Sequence, residues 1–465
     1  MTEPVSGGAG DFQAKLATFV KDNRIAGAAA SVVHGDDLAW AGAAGFADIG
    51  SRRRAGPGSV YRIASITKTI TGTAIMQLRD AGKLDIDDPA VQWLPELAAS
   101  DSGQPVGRVT IRRLLSHESG LMGNPPGSEW AFKEPRYAGV AAETLARASD
   151  IFVAIGPNLQ PKYSNLGYQL LGEIVRRASG CDDYPSYVRQ EILVPLGMTD
   201  SAFDPLPEPL AARCTTGYEG RSFSDELDVA APMTNIWAEG GLWSTVEDLG
   251  RWLSFQLSAY GDRQRPGMVL SAESLREMHK PRYLSDESWT LAWGISWYAV
   301  RKDDVTWVQH SGNVHGFSSG ACFDRESGVG ASVLVNGVAD APGLATELAV
   351  TARRLAQAGT PAVAIPAPTP AEYLPLLGMY ALPVGGGDVR RIEWRDGELA
   401  FMSPNYPGQA MSLRPSGEPD MFTVGPGFRD SGERVSFVRR PDGQVTAISF
   451  GGGTLLRLAP VDPAE

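Results

Sequence analysis

Tyr61-Arg62-Ile63-Ala64-Ser65-Ile66-Thr67-Lys68 is the stretch on which the reading of this chain turns. Apolar spacing from Ile66 to Leu78 predicts a helix, and Ser65 and Lys68, three residues apart at its start, then share one face and can touch. A serine hydroxyl is a weak nucleophile, and an amine held beside it can take its proton if burial or nearby positive charge keeps that amine partly neutral. A helix N-terminus also offers unpaired backbone N–H groups to developing negative charge. In isolation the tetrad reads better as a helix N-cap followed by a solvated lysine.

Moving outward, Pro161-Lys162-Tyr163-Ser164-Asn165 opens a second helix and sets a phenol and a carboxamide two residues apart. Later, a strand over Trp307 to His310 runs into His310-Ser311-Gly312. Two further segments accompany these, Leu114-Leu115-Ser116-His117-Glu118-Ser119-Gly120-Leu121 and Gly240-Gly241-Leu242-Trp243-Ser244-Thr245. In this order the elements resemble the serine β-lactamase and penicillin-binding-protein family, particularly its class C β-lactamase, DD-peptidase and esterase branch, where S-x-x-K, Y-x-N and K-T-G or H-x-G follow one another. The resemblance covers roughly Phe12 to Gly359.

That resemblance implies an α+β fold, a β-lactamase/transpeptidase-like antiparallel sheet flanked by helices and an all-helical region. It makes Ser65 the acylated nucleophile and Lys68 its proton acceptor or an electrostatic aid. Tyr163 becomes the second acid/base, provided that Lys68 lowers its pKa. Asn165 is expected to hydrogen-bond the substrate's acyl side and Lys68. The backbone N–H groups of Ser65 and Asn313 form the oxyanion hole, with Gly312 beside the substrate. His310 departs from the lysine usual in β-lactamases. Imidazole is mostly neutral at pH 7, so a carboxylate anchor is weakened and ester, amide or thioester substrates are favoured over β-lactams.

Four further readings stay open. His117 belongs to a segment resembling a structural turn and is read as non-catalytic, while His315 borders the site without an assigned role. Glu239 either faces the cleft, as a substrate-amine contact or auxiliary acid, or is a solvated loop carboxylate. Trp130, Phe132, Tyr218, Trp237 and Trp243 either line an apolar acyl pocket or belong to the core.

The rest of the chain is punctuated clearly. Phe12, Leu16, Phe19 and Val20 behind Asp11 read as an amphipathic helix capped by that aspartate, and Ala28 to Val33 and Leu38 to Phe46 read as a hairpin turning at His34-Gly35-Asp36-Asp37. Phe317 to Phe323 and Gly330 to Val335 read as strands, Leu344 to Leu355 as a closing helix. Strands at both ends of a helical middle predict one sheet joining the two ends of a catalytic domain over 1–358. Residues 359–375 carry Pro361, Pro366, Pro368, Pro370 and Pro375 among alanines and read as a linker. Over 376–465, short strand-like runs meet at Asp396-Gly397 and Asp442-Gly443, as in a small antiparallel β-barrel, and the resemblance makes it lipocalin-like.

Composition narrows the function. The 465 residues are 43% hydrophobic and 21% charged, ordinary for a globular protein. A formal net charge of -12 and a pI near 5.1, with no basic stripe, disfavour nucleic acid and anionic membrane as partners. Gly7, Gly8, Gly10, Asp11 and Lys15 interrupt the start where a secretory signal needs an apolar run, and no other run reaches membrane-helix length, so a cytoplasmic location is expected. Cys181, Cys214 and Cys322 lie outside disulfide or zinc spacing and read as reduced, mostly buried thiols. No metal and no cofactor is expected, and the partner is a small-molecule or peptide acyl substrate. The reaction expected is ester or amide hydrolysis through an acyl-enzyme. Acyl transfer to an amine (peptide cyclisation included), D-amino-acid-specific peptidase activity and a catalytically silent scaffold are the alternatives.

Overall fold

The computed structural model describes residues 5, 7–100, 106–126, 141–157, 160–220, 227–230, 236–260, 269–284, 290–302, 304–358, 369–381, 389–395, 397–402, 410–425 and 431–459. The chain divides into two compact units, Met1–Thr360 and Pro361–Glu465.

In the first unit, α1 (Ala9–Asp22) forms because Phe12 and Leu16 recur on one face and are buried there. It starts earlier than its sequence suggests: Gly8 holds the N-cap position, and Asp11 sits in the first turn, where its charge complements the unpaired N–H groups. The helical middle contains α2 (Thr67–Asp80), α3 (Ala141–Ala146), α4 (Asn165–Ser179), α5 (Tyr184–Val188), α6 (Trp237–Gly240) and α7 (Val246–Leu257), and α8 (Ala341–Ala358) follows the last strand. Side-chain caps set three of these starts. The Ser164 hydroxyl accepts the Gly167 N–H at 3.0 Å before α4, the Asp183 carboxylate that of Ser186 at 2.7 Å before α5, and the Thr245 hydroxyl that of Asp248 at 3.2 Å before α7.

One antiparallel sheet joins both ends of the unit, as the pattern of strands predicts. Its strands are β1 (Gly27–His34), β2 (Asp37–Asp48), β3 (Arg53–Arg54), β4 (Tyr283–Leu284), β5 (Leu291–Trp293), β6 (Tyr298–Lys302), β7 (Val305–Val314), β8 (Phe317–Asp324) and β9 (Val329–Val335). They lie in the order β3-β2-β1-β9-β8-β7-β6-β5-β4. Strands β8 and β9 are buried throughout, and alternate residues of the central strands serve two cores. Ala28, Ala30, Val32 and Val333 pack with Phe12, Leu16, Leu344 and Leu348 of α1 and α8. Ala29, Val33 and Leu334 join Ile66, Ile70, Leu170 and Trp252 of the helical middle. The sheet is therefore covered on both faces, and its inner strand β7 meets the turn Ala64–Ile66 that leads into α2.

The second unit is a closed barrel of eight strands: β10 (Gly378–Ala381), β11 (Val389–Arg395), β12 (Glu398–Met402), β13 (Ala410–Pro415), β14 (Met421–Val424), β15 (Arg434–Arg439), β16 (Val445–Phe450) and β17 (Gly453–Ala459). Closure leaves no unpaired strand edge. Tyr380, Ile392, Phe401, Val435 and Ile448 fill its interior. Of the expected linker, residues 359–368 lie outside the described residues, and its end is folded: Tyr373 stacks on Trp394 with ring centroids 5.5 Å apart, and Leu376 is buried.

Among the described residues no helix is long and apolar enough to cross a membrane. The three cysteines are free, and only Cys322 is buried; Cys181 and Cys214 are half-exposed.

Asn336, fully buried just beyond β9, ties the sheet together. Its amide nitrogen donates to the carbonyls of Phe46 (3.1 Å), Ala47 (3.2 Å) and Thr216 (2.9 Å). Asn336→Ala strands these acceptors away from water, so denaturant unfolding should show a loss of roughly 2–3 kcal/mol with an unchanged slope.

Candidate active site

The first unit presents Ser65 on a turn held from two sides. Ala64, just before it, has φ 48, a left-handed conformation that costs a non-glycine residue about 1–2 kcal/mol. The surroundings enforce it. Ile63 N–H donates to the Leu242 carbonyl at 3.0 Å, the Ser319 hydroxyl of β8 donates to the Ile63 carbonyl at 2.7 Å, and the Thr67 hydroxyl returns to the Ala64 carbonyl at 2.7 Å. A single 3-10 turn, Ala64–Ile66, then feeds α2. Strain of this kind persists where neighbouring packing over-determines the backbone, and here it lifts Ser65 into the cleft.

Lys68 lies one turn on, fully buried. Its Nζ stands 3.1 Å from Ser65 Oγ and donates to the backbone carbonyl of Glu239 on α6. The rings of Tyr163 and Tyr168 flank it, with centroids 5.1 and 5.4 Å from Nζ. Burial pulls its pKa down, and the Glu239 carboxyl works weakly in the other direction. The contact that positions α6 is itself carried by α2: the Thr71 hydroxyl donates to the Ala238 carbonyl at 2.6 Å and pairs with the Tyr184 hydroxyl at 2.7 Å.

Tyr163 lies beside this pair, at the entrance to α4. The residue keeps 40% of its surface exposed, and its ring lines the cleft together with Ser65. Burial of the hydroxyl pushes its pKa up, and the neighbouring Ser65 side chain only partly opposes this. The expected lowering of the Tyr163 pKa by Lys68 does not emerge: burial raises it, and Ser65 rather than Lys68 is the group that opposes the rise. Beneath Tyr163 lies the buried ring of His117, with centroids 4.2 Å apart. His117 Nδ1 accepts the Ser164 N–H at 3.2 Å and its carbonyl accepts the Lys162 N–H at 2.7 Å, so it acts as a platform for the Tyr163 segment. Asn165 donates to the side chain of Asn124 at 2.8 Å rather than meeting Lys68. Sequence reasoning did not single out Asn124, a loop residue with no motif around it.

Strand β7 forms the opposite wall. His310 is buried, its Nδ1 donates to the Ser311 carbonyl at 2.7 Å, and its Nε2 has no hydrogen-bond partner among the described residues. Burial, and then the charge of Lys68, push its pKa down to about 3, so the ring is neutral. Gly312 acts by absence: a Cβ there would lie 2.6 Å from the Ile63 carbonyl oxygen and 2.8 Å from Ala64 Cβ. Asn313 follows it at the cleft, with its side-chain oxygen accepting the Ser318 hydroxyl at 2.8 Å.

These groups enclose a cleft of about 510 Å³ lined by Ser65, Asn124, Tyr163, Asn165, Ile236, Glu239, Gly240, Leu291, Trp293, Tyr298, His310, Ser311, Gly312, Asn313 and Val314. Glu239 is only 2% exposed and so is no solvated loop carboxylate: burial on α6 pushes its pKa up, and its carboxylate oxygens have no partner among the described residues. Trp237 lines a different cavity, on the far side of α6. Tyr218 and Trp243 are held elsewhere, by the Ile49 N–H and by Asp204, and His315 pairs with Glu219 at 3.1 Å. Trp130 and Phe132 lie outside the described residues. The aromatic wall comes instead from Trp293 and Tyr298, on β5 and β6, two short strands that the sequence pattern did not reveal.

Gly312→Ala forces β7 away from the Ser65 turn. A displacement approaching 1 Å costs on the order of 100-fold in reactivity, so the rate of Ser65 modification by a fluorophosphonate should fall by about that factor while cooperative unfolding is retained.

A model of the beta-lactamase family matches residues 12–355. Beta-lactamase-like protein 2 of Dictyostelium discoideum is 30% identical over 284 residues, 58% of this chain and 48% of that protein, and the chain thus spans about half the length of this curated relative. The crystal structure of SurE superposes with a TM-score of 0.59 at 27% identity, over 96% of this chain and 98% of that one. A D-stereospecific amidohydrolase from Streptomyces sp. superposes with a TM-score of 0.56 at 25% identity, over 74% of this chain and 97% of that one. The family match takes in Ser65, Tyr163 and the β7 strand together, on the fold that brings them to one cleft, and the chain belongs to the beta-lactamase family of serine hydrolases.

Proposed function

We propose that this protein hydrolyses an ester or amide bond in a substrate without a carboxylate beside the scissile group, through an acyl-enzyme on Ser65. The observation that carries the reading is the β7 wall. Neutral His310 presents an unprotonated Nε2 without a hydrogen-bond partner among the described residues, and no Lys or Arg is among the described residues lining the cleft. A lone pair in place of a cationic donor is poor company for an anionic substrate group.

In this reading Lys68, its pKa lowered by burial, accepts the Ser65 proton as Oγ attacks the carbonyl carbon. Negative charge on the tetrahedral oxygen falls to the backbone N–H groups of Ser65 and Asn313. Tyr163 stays a phenol because its pKa is raised, which suits it to donate a proton to the leaving group, after which protonated Lys68 restores the phenol. In deacylation water attacks the acyl carbon, and its proton passes to Ser65 Oγ as the acyl–oxygen bond breaks. Asn165 binds the acyl side in this reading, supported by its position in the cleft and its hydrogen bond to Asn124. The likeness to a D-stereospecific amidohydrolase supports keeping amides beside esters.

The test compares kcat/KM for a neutral p-nitrophenyl ester with that for a chromogenic cephalosporin, which carries a carboxylate. The neutral ester should be preferred by roughly 100-fold or more, about 2.7 kcal/mol of differential transition-state binding. Equal rates, or preference for the cephalosporin, would contradict the reading.

A further inference from the structure

Behind α6 lies a second cavity of about 200 Å³, lined among the described residues by Ala141 of α3, Gln169 of α4, Tyr184 of α5, and Trp237, Ala238 and Glu239 of α6. Glu239 also lines the Ser65 cleft and so forms part of the wall between the two spaces. Among the described residues neither of its buried carboxylate oxygens has a hydrogen-bond partner, nor has the buried indole N–H of Trp237. A buried carboxylate and a buried donor left unpaired are costly.

The chemistry around them favours a cation. Glu173, Asp182 and Asp183 share the cavity with a single guanidinium, Arg176, which is already engaged by Glu173 at 2.7 Å. Tyr184 and Trp237 add aromatic surface, to which organic ammonium groups bind well. At about 30 Å³ per water-sized group, the volume holds roughly six non-hydrogen atoms. We propose that this cavity is a binding site for a small ammonium compound that also carries a hydroxyl or carbonyl oxygen, an amino alcohol or amino amide, with Glu239 taking the ammonium and Trp237 donating to the oxygen.

Lys68 of α2 and Tyr184 of α5 interact electrostatically with Glu239; Glu173, Arg176, Asp182 and Asp183 line the cavity with it, and Tyr163 and His310 line the cleft with it. Burial favours its uncharged form, and a bound ammonium restores the carboxylate. The site is independent of the ester-hydrolase reading, because its test is a binding measurement.

The probes are 4-amino-1-butanol and its neutral counterpart 1,4-butanediol, titrated against the full chain at neutral pH by saturation-transfer NMR and calorimetry. The amine should bind at least about tenfold more tightly than the diol. Glu239→Gln should abolish that preference, and Ala141→Phe, which fills the cavity without altering a charge, should abolish binding of both. The proposal is overturned if the diol binds as well as the amine, if the amine shows no saturable binding up to about 100 mM, or if both variants bind it as the wild type does.

Discussion

The site depends on one constraint, an amine that has been taken out of water. Lys68 is fully buried, and an ammonium in that position must either be paired or give up its proton. Its immediate neighbours are a hydroxyl, a backbone carbonyl and two phenol rings, none of them a full counter-charge; the Glu239 carboxyl offers only a weak opposing effect and is itself driven toward neutrality by burial. The result is an amine whose pKa is lowered and which stands 3.1 Å from the Ser65 hydroxyl. Packing thus supplies the condition that the proposed mechanism asks of Lys68.

The framework around that amine serves to keep the geometry. The threonines of α2 are buried and spend their hydroxyls on neighbouring elements, Thr67 on the Ser65 turn, Thr69 on Trp252 of α7 and Thr71 on α6. The left-handed Ala64 and the missing side chain of Gly312 let the strand and the turn approach more closely than other residues permit. His117 carries out the equivalent task for Tyr163, supporting the ring from below and fixing the backbone on either side of it. Thus the three catalytic groups of the proposed mechanism come from separate elements and are located by contacts that the sheet anchors.

Much of this was legible in the sequence, for identifiable reasons. Ser65 and Lys68 are local neighbours on a helix, so their contact follows from spacing, and the long buried strands β1, β8 and β9 announce themselves as continuous apolar runs. The barrel was foreshadowed by the glycine turns at Gly397 and Gly443, both with positive φ. What escaped was set by long-range packing. Strands β5 and β6 are short, and Trp293 and Tyr298 reach the cleft only because those strands pair beside β7. Glu239 stands before two glycines and looks like a solvated loop residue until α6 is laid against α2 and α4; the same one-turn helix sends Trp237 away from Ser65. The direction of the Tyr163 pKa shift was also unreadable, since it reflects how much protein surrounds a hydroxyl rather than which residues lie near it in sequence.

The most direct measurement of this account is the rate at which Ser65 is acylated by a p-nitrophenyl ester, followed against pH by peptide-mapping mass spectrometry in the wild type and in Lys68→Arg. Because burial lowers the Lys68 pKa, the rate should rise with pH through an inflection well below the ~10.4 of a free lysine, with the adduct on Ser65 alone. In Lys68→Arg, whose guanidinium stays protonated, that inflection should vanish and acylation should fall by at least about 100-fold. An adduct on another residue, or a pH profile that Lys68→Arg leaves unchanged, would contradict the claim that a buried amine primes this serine.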